Sequence, residues 1–514
     1  MTVSRRSGAT VAAVDLGASS ARVVQVRIEP GTLRLQEVHR APNVPVTRDG
    51  SLRWNLPALY DGILDGLSAA VRLGAGLDSV GVDSWAVDYG LVDSHGGLLS
   101  WPVSYRDSRT DEAYRVAHQR VAAAELFART GLQHLAFTTV FQLVAALSDD
   151  RGAAEIDRAH RLLLVPDLIG RWLTGVEGAE LTNASTTGLL DVSSHEWALD
   201  LVERLEIPSR LLPPLRRPGS TVGPLTAEVG RRIGLDPGTE VPLVAVGSHD
   251  TASAVVAVPA TEDSFAYICT GTWSLAGLEL DHPVLTDAAR AHNFTNETGV
   301  DDRVRFLRNV MGLWLLQESM GTWSREGSLR GRDAEVGTLV AAAATLGSGG
   351  PVIDVDAPDF LAPGDMPARI RSACADSGQP SPSGPAEVTR CIIDSLALAH
   401  RRALRAAMAL TGRSPTVVHV VGGGARNALL CQLTADAIGL PVVAGPVESA
   451  AVGNALVQAR AIGALSGDLT ELRALVASSQ RLQRYEPRGA QSDWDALQVR
   501  LDDRPMTAFG RDEA

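Results

Sequence analysis

Two copies of one pattern, far apart in the chain, carry the residue types that suit phosphate. Val11 to Val24 runs as an apolar strand, the turn Gly17-Ala18-Ser19-Ser20, and a second strand through Ala21, Arg22 and Val23. Phe265 to Leu278 repeats the form, with Thr270-Gly271-Thr272 ahead of Trp273 and Ser274. A tight Gly turn presents backbone N–H groups, and neighbouring hydroxyls add donors for phosphate oxygens. One such hairpin is ordinary turn composition. Two of them, each opening one half of the chain, could hold a nucleotide triphosphate from both sides. Asp15 ends the first strand just before its turn. A carboxylate there either caps the turn or holds Mg²⁺ beside the phosphates.

Ser248-His249-Asp250-Thr251 follows the short apolar run Leu243 to Gly247 and opens a helix. Ligands of open α/β sheets bind at strand ends of this kind. Asp250 is there either a helix cap or a general base that takes the proton of a substrate hydroxyl attacking a γ-phosphate. His249 either packs or hydrogen-bonds the substrate. Gly422-Gly423-Gly424 joins a strand to a helix; it is either a tight turn or a place where an adenine or ribose lies against backbone. Asp83 and Asp88, the run Tyr105 to Thr110, and Thr182 to Ser185 read individually as structural polar clusters. Arg308-Asn309 and Gln317 are polar groups in an apolar setting, suited to a site wall or to a helix entry.

The elements that must position these groups alternate in the first half. Strands are expected at Val11 to Val14, Val23 to Ile28, Leu33 to His39, Ser79 to Trp85, Val87 to Val92 and Leu243 to Gly247. Helices are expected at Leu56 to Leu73, Thr110 to Ala128, Phe141 to Leu147 and Asp167 to Leu173. The pattern restarts after Val258-Pro-Ala-Thr-Glu-Asp263. Helices then follow at Val310 to Met320, Glu335 to Leu346, Pro385 to Leu410, Ala428 to Ile438 and Ser449 to Ile462, with strands at Val417 to Val421 and Leu440 to Val443. The mixture predicts an α/β protein. The expected division is 1–257, 258–490, and a tail, 491–514, that is polar and frayed after Asp493.

A chain of 514 residues exceeds one core, in keeping with two or three domains. The net charge of −13 argues against nucleic acid as partner, but not against a nucleotide held by local donors. No apolar run reaches the ~18 residues of a membrane span. The apolar stretch behind Arg5 and Arg6 is broken by Asp15, so no signal peptide is expected and the protein is read as cytoplasmic. Cys374 and Cys391 flank a Pro/Ser/Gly-rich loop and could pair, although a reducing compartment favours free thiols. The Asn183, Asn293 and Asn296 acceptor patterns are coincidental without secretion.

Ala13 to Ser20, Gly81 to Asp88, Pro102 to Thr110, Ser248 to Ala254, Gly271 to Ser274, Asn309 to Gln317 and Val421 to Gly424 together resemble the FGGY family of carbohydrate kinases. The resemblance implies a two-domain, duplicated actin/hexokinase-like ATPase fold of ribonuclease H-like domains, with the active site in the interdomain cleft. Closure of that cleft would exclude water from the phosphoryl transfer. The first domain would bind sugar and phosphate, the second the nucleotide. It implies transfer of the γ-phosphate of ATP, with Mg²⁺, to the 1-hydroxyl of a small ketose, L-rhamnulose. Asp250 would be the catalytic base. Ala86, His249, Asp250, Thr251 and Asn309 would contact the sugar. Ala18, Ser19, Ser20, Ala21, Arg22, Thr272, Gln317 and Gly424 would contact ATP, and Asp15 the metal. Ala86 and Ala21 stand where the resembling proteins carry Gly, which bears on the identity of the sugar. Another ketose, such as L-fuculose or L-xylulose, a sugar-independent actin- or chaperone-like ATPase, and a silent sugar sensor are the alternatives.

Overall fold

The computed structural model describes residues 8–74, 76–262, 264–329, 331 and 335–502. Arg5, Arg6, Asp263 and the tail from 503 onward lie outside the described residues. The chain folds as two compact units. The first joins the chain up to Thr261 to Leu280–Phe306 and Ser449–Gln480; the second joins Glu262–Glu279 to Leu307–Glu448 and the chain from Arg481.

Ala9–Leu16 is buried at all eight positions, as a central strand of small and apolar residues requires. It pairs antiparallel with Ser20–Glu29 and parallel with Ser79–Ser84. From edge to edge the sheet runs Thr221–Pro224, Pro242–Val244, Ser79–Ser84, Ala9–Leu16, Ser20–Glu29, Thr32–Pro42. Alternation along Ser20–Glu29 divides its side chains between two helices. Val24 and Val26 join a cluster with Ala451, Val452, Ala455 and Leu456 of the helix Ser449–Ala461. Gln25 faces the other way and donates to Ala70 O, 2.9 Å, at the end of the helix Leu56–Arg72. That helix begins on Asn55, whose side chain accepts from Ala58 N, with Pro57 in the first turn.

The second unit repeats the motif. Phe265–Thr270 pairs antiparallel with Trp273–Leu280 and parallel with Val417–Val421. The last pairs parallel with Val442–Ala444, which pairs antiparallel with Gln483–Tyr485. The long helix Pro385–Thr411 packs on Ala428–Ile438.

Several expectations about elements are corrected. Thr110 to Ala128 is not one helix: Thr110–Arg120 stops at Val121, whose backbone is extended, and Ala123–Thr130 starts anew. Val310 to Met320 is not one helix either. Val304–Met311 is a strand, and the helix is Trp314–Glu326, with Gly312 in the break. A Cβ on Gly312 would lie within 3 Å of Thr272 O and Trp273 backbone atoms, so the chain turns against the second hairpin there. The strand expected from Val87 starts at Tyr89, because Val87 holds a left-handed φ of 66°. The stretch after Asp493 is not frayed as far as it is described: Gln491–Asp502 is helical, and Trp494, Leu497 and Leu501 are buried. Cys374 and Cys391 are buried free thiols with sulfurs 3.9 Å apart.

Candidate active site

In the first unit, strand register brings two acidic groups together, and Asp250 acts on them electrostatically from the helix that it opens. Asp15 stands opposite Arg22 across the first hairpin and beside Asp83 on the parallel strand. Arg22 is ion-paired to Asp15. Asp83 accepts from Asn454 Nδ2 (2.6 Å), while its Oδ1 is buried with no partner. Burial, then the neighbouring charge of Asp15, pushes the Asp83 carboxyl well above the ordinary range; Asp250 adds to this. Asn454 is itself held by Gln458, which also bonds Ser79 Oγ (2.7 Å) and Ala12 O (3.1 Å). Helix Ser449–Ala461 thus braces the two parallel strands.

Asp250 opens the helix Asp250–Val256, with His249 at the N-cap position. The preceding turn is clamped by Glu180, whose Oε2 accepts from Ser248 N (3.0 Å) and Ser248 Oγ (2.8 Å). Thr182 Oγ1 accepts from His249 N (3.2 Å), and Asn183 donates to Ser248 O (3.4 Å). The polar turn Thr182 to Ser185 therefore positions the Ser-His-Asp segment. Burial raises the Asp250 carboxyl, opposed by hydrogen bonds from Thr251 and by the charge of Arg305, yet 31 % of its side chain stays accessible. A deep but reachable carboxylate is what a general base requires.

Ala86 lies on a tight turn closed by Asp88 N donating to Ala86 O (2.9 Å), with the strained Val87 between them. Thr139 Oγ1 donates to Val87 O (2.7 Å). Asp88 sits in a cage of donors: Trp54 Nε1 (2.6 Å), Trp85 Nε1 (3.0 Å), Tyr105 N (3.2 Å) and Gln142 Nε2 (2.9 Å). Burial still raises it to about 6. Ala18, Ser19 and Ser20 form the hairpin tip, with Ser19 exposed and Ala21 buried.

The second unit carries the other predicted residues. Thr272 is at the tip of its hairpin, where Trp314 N donates to Thr272 O (3.2 Å) and Leu313 N to Gly271 O (2.9 Å). The start of the helix bearing the exposed Gln317 is thereby fixed to the hairpin. Gly424 is buried against Thr270, and a Cβ there would overlap the Thr270 side chain. Gly422 has φ 88°, and a Cβ there would stand 2.9 Å from Thr270 O. Asn309 is half-buried on the strand Val304–Met311. Its neighbour Arg308 pairs with Asp356 (3.2 Å), which also accepts from Met311 N (3.0 Å).

Among the described residues no group of three or more His, Cys, Asp or Glu could enclose a metal ion. A Mg²⁺ that arrives with phosphates needs only one or two carboxylates. The orphaned Asp83 oxygen beside Asp15 is a donor set that fits such an ion.

Glu180, Glu297 and Arg305 emerge only from the structure. Glu297 lies within Asn296-Glu297-Thr298, which as sequence shows a glycosylation pattern, and nothing local distinguishes Arg305.

The model of the FGGY carbohydrate kinase N-terminal domain matches residues 10–257, and that of the C-terminal domain matches 266–462. The chain is 41% identical over 486 residues to a rhamnulokinase of Pectobacterium atrosepticum, covering 94% of each. It is 38% identical over 487 residues to a rhamnulokinase of Bacteroides thetaiotaomicron, covering 95% of this chain and 97% of that one. Among solved structures, a gluconate kinase from Lactobacillus acidophilus superposes with a TM-score of 0.74 at 17% identity, covering 96% of both chains. A xylulose kinase from Rhodospirillum rubrum does so at 0.74 and 19%, covering 96% of this chain and 98% of that one.

Proposed function

Since the chain belongs to the FGGY family of carbohydrate kinases, we propose that it transfers the γ-phosphate of ATP to the 1-hydroxyl of L-rhamnulose. The sugar is inferred from the rhamnulokinases that it resembles over more than nine-tenths of its length. The single observation that carries the mechanism is Asp250, a desolvated yet accessible carboxylate on a turn clamped by Glu180 and Thr182.

In this reading Asp250 takes the proton of the sugar 1-hydroxyl as that oxygen attacks phosphorus. His249 and Thr251, on the same turn, and Ala86 orient the sugar, with Asn309 as a further sugar contact. The N–H groups and hydroxyls of Ala18 to Arg22 bind outer phosphate oxygens, as does Thr272. Gln317 contacts ATP, and Gly424 admits it against the backbone. Asp15, with Asp83 beside it, would hold Mg²⁺. That ion, when bound, neutralises charge on the phosphates. Because the transition state is loose, positioning and charge neutralisation supply most of the rate.

ADP release from Mg-ATP with L-rhamnulose, L-fuculose, L-xylulose, L-ribulose and D-xylulose tests the proposal. Preference for L-rhamnulose is expected. Preference for another ketose keeps the chemistry and moves the substrate. ADP release indifferent to every sugar would instead favour the actin- or chaperone-like ATPase.

A further inference from the structure

The ring of His249 lies between two carboxylates and a guanidinium, all within the first unit. Its Nε2 is 3.5 Å from Asp250 Oδ1. Its Nδ1 is 3.2 Å from Arg305 Nη2 and 3.3 Å from Glu297 Oε2. Arg305 is fully buried and Glu297 and His249 nearly so. Arg305 is tied down twice more: Nε and Nη2 donate to Thr298 O, each at 3.2 Å, and Nη1 is 3.0 Å from Glu297 Oε2. The backbone of His249 is fixed separately by Thr182 Oγ1.

The donor inventory decides where the ring proton sits. A guanidinium has only donors, and it keeps its charge under all ordinary conditions. Nδ1 can meet Nη2 at hydrogen-bond distance only as an acceptor, with no proton of its own. Glu297 competes for a proton on Nδ1, but its charge is already answered by Arg305 Nη1. A ring deprotonated at Nδ1 carries its one proton on Nε2, the nitrogen that faces Asp250.

We propose that Arg305, braced by Glu297, is a positioning residue that holds His249 as the neutral tautomer protonated on Nε2. The ring then offers its single donor toward Asp250 and the sugar, and the general base is not neutralised by an adjacent imidazolium. This rests on the reading of Asp250 as base and His249 as sugar contact. Burial pushes the carboxyl of Glu297 upward, but the Arg305 charge and hydrogen bonds from neighbouring side chains together bring it below its ordinary range. Glu297 thus remains an anion beside Arg305.

The test is ¹⁵N spectroscopy of the full chain labelled at histidine, with the His249 signals identified by their loss in His249→Asn. The expected result at neutral pH is an unprotonated Nδ1 and a protonated Nε2. Glu297→Gln should leave that pattern in place, since it keeps an amide oxygen to accept from Arg305 Nη1 and removes only the carboxylate charge that competes for a proton on Nδ1. Arg305→Gln should lose it and lower kcat/KM for the ketose by about 10²-fold, the cost of a misplaced contact, with KM for ATP unchanged. A wild-type ring protonated on Nδ1, or on both nitrogens, overturns the proposal without need of any variant. Failure of the parent reading is separate: Asp250→Asn with full turnover would remove the base and leave the tautomer measurement standing.

Discussion

Asp250 gains its chemical character from two opposed influences. Burial raises its carboxyl above the ordinary aspartate range, and hydrogen bonds from Thr251 with the charge of Arg305 restrain the rise. A base must be ionised to act, so kcat/KM should fall as pH drops through the raised pKa, above the ordinary 3.8 of an aspartate. An acid limb at or below that ordinary value would count against Asp250 as the base. Replacing it with Asn removes the proton acceptor and keeps the shape; turnover should fall by about 10²–10⁴-fold. Nucleotide binding, followed by a fluorescent ATP analogue, should survive. Ala86 makes a second prediction of the same scale. Its methyl group, at a position where the family resemblance implies a Gly, lies on a turn already strained at Val87. Ala86→Gly should lower KM for the preferred ketose and leave KM for ATP alone, as initial-rate kinetics with each substrate varied will show. A KM unmoved by the change would mean that the sugar does not meet this turn.

At the scale of elements, the two hairpins, the Asp250 helix and the glycine run were legible because each is local. Apolar strands broken by Gly with Ser or Thr occur at Gly17 and Gly271, and both fold as read. The misread elements are those decided by tertiary contact. Val304–Met311 carries a helix-like apolar spacing into Trp314–Glu326, and only its place beside the second hairpin makes it a strand. The packing of helix Ser449–Ala461 on Asp250–Val256 was equally invisible, since no sequence pattern names the partner of Gly453. A Cβ at Gly453 would sit well inside contact distance of Ser253 O. The two helices can approach this closely only because that position lacks a side chain. Gly453→Ala should therefore force them apart, at an overpacking cost of about 1–3 kcal/mol. The lower stability should register as a reduced denaturant midpoint with an unchanged slope. Since Ser253 lies one turn from Asp250, kcat should fall too. A variant as stable and active as the parent would show that the helices have room to spare.

At the scale of the whole molecule, linear order and compact units diverge. The family domains match as continuous stretches, 10–257 and 266–462, whereas the first unit recruits Leu280–Phe306 and Ser449–Gln480 from far along the chain. Those late segments are not ornaments. Ser449–Ala461 covers Val24 and Val26 with Ala451, Val452, Ala455 and Leu456, and it supplies Asn454 to Asp83. Leu280–Phe306 supplies Glu297 and Arg305 to His249. This is why the supporting residues escaped a reading along the sequence while Asp15 and Asp250, which sit in local motifs, did not. A chain cut after residue 257 would expose one apolar face of the central sheet and leave Asp83 and His249 without their buried partners. Large exposed apolar patches drive aggregation. Residues 1–257 expressed alone should be insoluble, or lack a cooperative thermal transition by circular dichroism, even though they contain the complete first family domain. Adding the missing segments in trans as part of residues 258–514 should restore solubility if the two fragments assemble during co-expression. A soluble 1–257 fragment with a sharp transition would mean that the first unit holds its core without the recruited segments, and the coupling of Asp83 and His249 to distant sequence would then be unnecessary for folding.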